Sequence, residues 1–147
     1  MFRNPDDDVI REILYNHRTI AVVGCSPKPD RDSHAIARLL MSRGHRVIPV
    51  NPGHREILGQ ACFPDLLSVP EPVSMVDVFR RPEYTPEIAE QAIRIGAGIL
   101  WMQLGVWNEE AAERALAAGL TVIMDRCPAI EYRRMGPLEK PAGPQRS

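Results

Sequence analysis

The sequence predicts an α/β fold, a three-layer, doubly wound, mostly parallel sheet with helices on both faces. Three observations carry this prediction. Short continuous apolar runs at 19–23, 46–50, 74–79, 98–103 and 120–124 recur along the chain, as strands buried on both faces require. Between them, apolar residues return at helical spacing, so strands alternate with helices through right-handed crossovers. The 147 residues contain no repeat and no internal linker, which suits one domain with a substantial core.

Each element has its own signal. Asp6 to Asp8 precede Val9, Ile10, Ile13 and Leu14, predicting a helix over 7–16. The first strand is 19–23. Ser33 is placed as the cap of the next helix, whose apolar face is Ala35, Ile36, Leu39, Leu40 and Met41, with Gly44 as its stop. Strand 46–50 contains Pro49, which a sheet tolerates only near a strand end or at an edge. Asn51, Pro52 and Gly53 then force a turn. A turn over 56–59, a short strand near 61–63 and one helical turn over 64–67 follow.

Strand 74–79 ends at Arg80, Arg81 and Pro82. Thr85 is placed as the cap of a helix with Pro86 at its first position and Gly96 at its end. Strand 98–103 leads to Asn108, which caps a helix over 109–118, and Gly119 closes it. Strand 120–124 and a last helix over 129–135 complete the domain, 1–135. The Pro/Gly-rich tail 136–147 is expected to be disordered.

The composition excludes several functions. Formal net charge is -1, so no global field recruits nucleic acid or an anionic membrane surface. No apolar run approaches the ~20 residues of a membrane helix. Met1 to Asp8 is acidic and lacks the features of a signal peptide. Cys25, Cys62 and Cys127 form no C-x-x-C pair, which favours a reducing cytosol over a disulfide framework. The four histidines show no zinc-ligand spacing.

In an open α/β sheet, ligands lie beyond the carboxyl ends of the strands at the switch point. That rule selects four segments here. After the first strand come Gly24, Cys25, Ser26, Lys28, Arg31 and Ser33, a loop running into a helix, where backbone N–H groups and the Ser26 hydroxyl are offered to a pyrophosphate. Gly24 allows a tight turn close to a ligand. Lys28 and Arg31 add charge, and read equally well as solvated surface cations. The loop has one glycine where a dinucleotide fingerprint would read G-x-G-x-x-G.

The second segment, Asn51 and Pro52, lacks the carboxylate that binds the ribose diol of NAD; Asn51 also suits simple turn initiation. Phe79, Arg80 and Trp101 offer apolar and cationic faces, with core packing the simpler account of Phe79 and Trp101. Gln103, Leu104 and Gly105 end the fourth strand with hydrogen-bonding groups. Farther out, Asp125 and Arg126 are expected to pair with each other. A helix-directed loop and Lys28 would together lower the pKa of Cys25, although a buried, inert cysteine is the usual state.

Five blocks then resemble, in order, the signatures of the small stand-alone CoA-binding proteins. They run Ala21-Val22-Val23-Gly24-Cys25-Ser26, Arg46-Val47-Ile48-Pro49-Val50-Asn51-Pro52, Val76-Asp77-Val78-Phe79-Arg80, Trp101-Met102-Gln103-Leu104-Gly105 and Met124-Asp125-Arg126-Cys127. These are relatives of the CoA-binding domain of succinyl-CoA synthetase, and the likeness spans about 13–135. It implies a Rossmann-like fold that binds coenzyme A rather than NAD. It further implies that Gly24, Cys25 and Ser26 meet the pyrophosphate with Lys28, Arg31 and Ser33 nearby. Asn51, Pro52, Phe79 and Arg80 would line the cleft, and Gln103, Leu104 and Gly105 would lie near the adenosine. The synthetase's phosphohistidine belongs to a second domain that has no counterpart here, so its ligase chemistry is not implied.

The expected function is therefore that of a cytoplasmic, non-catalytic protein that binds coenzyme A or an acyl-CoA. Two alternatives stand beside it: a thiol-dependent acyl-transfer or CoA-redox enzyme using Cys25, and an NAD(P)-binding regulator. Exposed apolar residues on the last helices are compatible with a homodimer, and a protein partner is unidentified.

Overall fold

The computed structural model describes residues 1–134. Met135 and the tail from Gly136 lie outside the described residues. Fourteen elements follow one another, of which twelve are helices or strands: α1 (Asp7–Asn16), β1 (Thr19–Val23), α2 (Asp32–Ser42), β2 (Arg46–Val50), β3 (Glu56–Ile57), β4 (Gln60–Ala61), β5 (Met75–Val78), α3 (Thr85–Arg94), β6 (Ile99–Met102), α4 (Glu109–Ala117), β7 (Thr121–Ile123) and α5 (Pro128–Arg134), with 3₁₀ turns at Leu66–Ser68 and Pro82–Tyr84.

The five long strands form one sheet in the order β2-β1-β5-β6-β7, and every pairing within it is parallel. The α/β, doubly wound expectation is therefore met. Pro49 is accommodated because β2 is an edge strand, where a missing N–H breaks no inner ladder. Strand direction of winding reverses between β1 and β5, so the carboxyl ends of these two strands flank the switch point.

Alternation along the strands divides the core in two. Ala21, Val23, Val76, Val78, Leu100 and Met102 face the layer made by α3 and α4. Ile20, Val22, Met75, Ile99 and Trp101 face the layer made by α1, α2 and α5. Fully burying one large aliphatic side chain contributes about 2 kcal/mol, and eleven large apolar side chains among the described residues are essentially inaccessible. Alanines on the facing sides of α3 and α4 (Ala89, Ala92, Ala111, Ala112, Ala115) are likewise buried.

The strand-like stretch near 61–63 is part of a small antiparallel hairpin of β3 and β4. Its two-residue turn is Leu58 and Gly59, both at positive φ (56° and 71°), the backbone that a tight hairpin demands. Phe63 then runs beside Val50 as a parallel bridge. Asn108 caps α4, its side chain accepting from the Ala111 N–H at 2.9 Å.

Two capping expectations fail. Ser33 is the second residue of α2, and the cap position is Arg31, which makes no side-chain cap bond. Thr85 is the first residue of α3 and donates its hydroxyl proton back to Pro82 O at 2.6 Å. In both places the preceding segment already turns helically or spends the side chain on the loop, so the capping chemistry moves elsewhere. Among the described residues, no helix is long and apolar enough to cross a membrane, and no group of three or more His, Cys, Asp or Glu could hold a metal ion.

Candidate functional site

The loop between β1 and α2 is built on Gly24. Its φ is +85°, and a Cβ there would stand 2.4 Å from Phe79 O and 3.1 Å from Arg80 Cδ. Only a glycine lets the end of β1 pass this close to the end of β5. Its N–H donates to Val50 O at 2.9 Å, so this one residue is locked to both neighbouring strand ends.

Beyond it the loop is tied internally. Cys25 is fully buried, and its carbonyl accepts from Asn51 Nδ2 at 2.9 Å. Asn51 Oδ1 in turn accepts from the Gly53 N–H at 2.9 Å. Asn51 thus starts the turn, one of the roles the sequence offers it, and its amide also straps the loop, a role the sequence did not indicate. The Ser26 N–H donates to Ser33 Oγ at 2.9 Å, and Ser26 O meets His34 Nδ1 at 2.9 Å. Ser26 Oγ accepts from the Lys28 N–H at 3.1 Å. The Ser26 N–H, expected to face a phosphate, is spent on holding the loop; the hydroxyl retains its own proton to donate.

A cavity of about 630 Å³ opens over this loop, lined by Gly24, Ser26, Lys28, Arg31, Ser33, Asn51, His54 and Phe79 among others. Lys28, Arg31 and His54 are exposed along it together with Asp30 and Asp32, so the rim carries charge of both signs. Pro52 lies apart, with Gly24 and Arg80, in a smaller cavity of about 250 Å³ on the other side. Arg80 stacks its guanidinium over Tyr84, 4.7 Å from the ring centroid, a cation–π contact that holds the side chain.

A second cavity of about 640 Å³ lies between α2 and α5, beyond the ends of β5 and β6. It shares Asp32 and Phe79 with the loop cavity. Gln103, Leu104 and Gly105 line it, together with Ile36 and Leu39, which the sequence places simply in the core. Gln103 is 6% exposed, and its Oε1 has no hydrogen-bond partner. Leaving such a buried acceptor unpaired costs about 1–3 kcal/mol. The Gly105 N–H is not free for a ligand: it donates to Asp125 Oδ1 at 2.7 Å.

That bond corrects the expectation for Asp125, which does not pair with Arg126. Arg126 instead meets Glu131 at 3.1 Å. Trp101 is a core residue, wholly buried, with Nε1–H donating to Arg126 O at 2.9 Å. The expected lowering of the Cys25 pKa is also overturned. Burial pushes its thiol up to about 12, and the nearby Cys62 and Asp77 push the same way. The reason is position: the helix-directed face of the loop belongs to Ser26 and Ser33, while Cys25 points into the apolar layer.

Sequence reasoning missed three residues. His34 supports the loop from inside α2. Asp77, in the middle of β5, is fully buried with neither carboxylate oxygen partnered, and burial raises its pKa well above the ordinary carboxylate value. Cys127 lines the second cavity. An aspartate inside an apolar strand run was the visible signal for Asp77, and Cys127 closes the last of the five resembling blocks; nothing local marked His34.

This geometry has known counterparts. A family model for the CoA binding domain matches residues 18–133. The chain belongs to the CoA-binding domain family. An uncharacterised protein, YneT, of Bacillus subtilis (strain 168) is 42% identical over 130 residues, covering 88% of this chain and 96% of that protein. A solved structure of a hypothetical protein from Pyrococcus horikoshii OT3 has a TM-score of 0.88 at 41% identity, covering 92% of this chain and 99% of that one. The ADP-forming acetate–CoA ligase I of Archaeoglobus fulgidus is 32% identical over 83 residues, 56% of this chain but 12% of the ligase. The CoA-binding domain thus occurs both as a chain of this length and as one part of a larger ligase.

Proposed function

We propose that this CoA-binding domain holds coenzyme A or an acyl-CoA and serves as a binding or regulatory protein rather than a catalyst. The observation that carries the reading is the loop at 24–33. Its single glycine is used for a close strand crossing, its frame is fixed by its own side chains, and Lys28 and Arg31 line the cavity over it, alternating with Asp30 and Asp32.

The residues present fit this ligand. Lys28 and Arg31 on the exposed rim suit phosphates, and the Ser26 hydroxyl can donate to one. Asn51 and Ser33 are committed to the loop and hold it in shape. The end of β2 offers no carboxylate for the ribose diol of NAD, since Asn51 stands there. Phe79, Arg80, Gln103 and Leu104 line the adjoining cavity, where the unpartnered Gln103 Oε1 suits an amide N–H or hydroxyl of the ligand. Coenzyme A supplies a thiol that carries acyl groups as thioesters. The buried, weakly acidic Cys25 thiol supports a role without catalysis.

Isothermal titration of ligand-free protein with coenzyme A, dephospho-coenzyme A and NAD tests the reading. Tighter binding of coenzyme A than of NAD is expected. Absence of heat with coenzyme A at about millimolar concentration overturns it.

A further inference from the structure

At the end of the sheet opposite the loop, a cavity of about 300 Å³ lies between α1 and the first residues of β6 and β7. Val9, Ile13 and Ile99 make its apolar part, and Val9 is left 41% exposed. Each polar side chain on the wall carries an acceptor: the Glu12 carboxylate, the Asn16 amide oxygen, the Thr121 hydroxyl and the His17 imidazole. No lysine or arginine among the described residues lines it. The last turn of α1 carries no basic residue, so the negative end of the helix dipole adds to the Glu12 charge. No ion pair to Glu12 forms among the described residues.

His17 points the same way. Its backbone is held, with the N–H donating to Ile13 O at 3.0 Å and the carbonyl accepting from His45 Nδ1 at 2.8 Å. Its ring is not: Nδ1 is buried with no hydrogen-bond partner, a cost that a ligand donor removes. Burial lowers the pKa of the ring, and the neutral Nε2–H tautomer presents Nδ1 as an acceptor. The ring also borders a further cavity of about 420 Å³, which gives it room to turn about Cβ–Cγ and bring Nδ1 to the wall of the first. Glu71, the acid of that further cavity, is already held by Arg46 Nη2 at 2.7 Å, so the unanswered negative charge belongs to the first. A bare metal ion lacks ligands here, since no group of three or more His, Cys, Asp or Glu forms among the described residues.

We propose that this cavity binds a small aliphatic primary ammonium ion, at a site separate from the one the CoA reading uses. The three N–H donors of the ammonium match Glu12, Asn16 Oδ1 and His17 Nδ1. The alkyl body covers Val9, Ile13 and Ile99. A volume of about 300 Å³ stands at the lower limit of ligand cavities and restricts the site to short amines.

The test titrates the ¹⁵N-labelled full chain with n-butylammonium chloride, n-butanol and sodium butyrate at neutral pH and follows the backbone amide resonances. Saturable shifts are expected at His17, Ile99 and Thr121 with n-butylammonium, with a Kd on the order of millimolar, while the amides of the 24–33 loop stay in place. Butanol lacks the charge and butyrate carries the wrong one, so each binds roughly tenfold or more weakly. Glu12→Gln weakens n-butylammonium binding roughly 3- to 10-fold, and His17→Phe, which keeps the ring and removes Nδ1, weakens it as well. The proposal is overturned if no saturable shift appears at these amides up to about 50 mM, if butanol or butyrate binds equally well, or if Glu12→Gln leaves the affinity unchanged. Glu12 is exposed, so its substitution leaves the core intact, and the three probes on the unsubstituted chain decide the question even if His17→Phe fails to fold. Coenzyme A titrations read the other end of the sheet, and their outcome does not bear on this site.

Discussion

Gly24→Ala separates two costs that meet at one position. The first is conformational: a side chain at φ +85° costs about 1 kcal/mol in the left-handed region. The second is steric, since the new Cβ would lie 2.4 Å from Phe79 O. Phe79 O is backbone and cannot rotate away, whereas Arg80 Cδ at 3.1 Å belongs to a flexible side chain that gives way. Displacing the end of β5 costs about 2 kcal/mol, the usual scale for overpacking. The sum of about 3 kcal/mol lowers the melting temperature of a chain this size by roughly 10 °C. Gly96→Ala is the control. Gly96 has φ +77° with nothing within 4 Å of its Cβ position, so only the first cost applies, about 1 kcal/mol or roughly 3 °C. Thermal unfolding of both variants, with coenzyme A titrated into each, reads the two costs separately. Gly24→Ala should also lose coenzyme A affinity, because Phe79 and Arg80 move with the strand end; Gly96→Ala should not. Melting of the two variants within about 1 °C of each other refutes the steric reasoning.

Other outcomes follow from charge and burial. Lys28→Ala and Arg31→Ala should each weaken coenzyme A binding about 3- to 10-fold at low salt, with smaller losses at high salt, since exposed cations are screened; affinities unchanged at low salt would remove both from the site. His45 is 5% exposed, with Nδ1 2.8 Å from His17 O and Nε2 2.6 Å from Tyr132 Oη. The carbonyl can only accept, so Nδ1 carries the proton, and burial lowers the pKa to about 4. The unfolded chain, titrating near 6.5, binds the extra proton first. Stability is therefore intact above about 6.5 and lost as pH falls toward 4, by about 3 kcal/mol at most; urea midpoints at neutral and mildly acidic pH measure it, and identical midpoints contradict it. Asp77 has the opposite sign. Burial raises its pKa, so the folded state keeps a proton that the unfolded chain has released, and stability falls as pH rises above the ordinary carboxylate range. Asp77→Asn should remove that slope, so its melting advantage over the unsubstituted chain grows with pH; a difference that does not vary with pH argues against a neutral buried acid.

The sheet was legible because parallel strands are buried on both faces, and continuous apolar runs such as Ala21-Val22-Val23 announce it. The switch point followed from topology, which brought Gly24 and Phe79 together across 55 residues of sequence. What composition could not convey was how the loop spends its hydrogen bonds. Ser33 looks like a cap by type and position; only the fold shows that Ser26 N–H lies within reach of its hydroxyl. The same holds for Asp125, whose partner is an amide 20 residues earlier and not the neighbouring arginine. Cys127 escaped for a related reason. A cavity wall is assembled from α2, two strand ends and α5, and no local spacing encodes it. Cys25, in contrast, drew notice through its position in the loop, while its side chain turns inward.

The ties across the loop also bear on timing. Arg31 N–H to Lys28 O, Ser26 to Ser33 and His34, and Cys25 to Asn51 together fix the segment before any ligand arrives. The entropy of ordering it, on the scale of about 0.5–1.5 kcal/mol for each immobilised side chain, falls on folding instead of on binding. Association is then limited by encounter and not by rearrangement, and it should be single-exponential with a rate linear in ligand concentration. In the ligand-free protein the Ser26 amide should exchange with solvent deuterium more slowly than the amides of exposed loops, because its acceptor is the buried Ser33 hydroxyl.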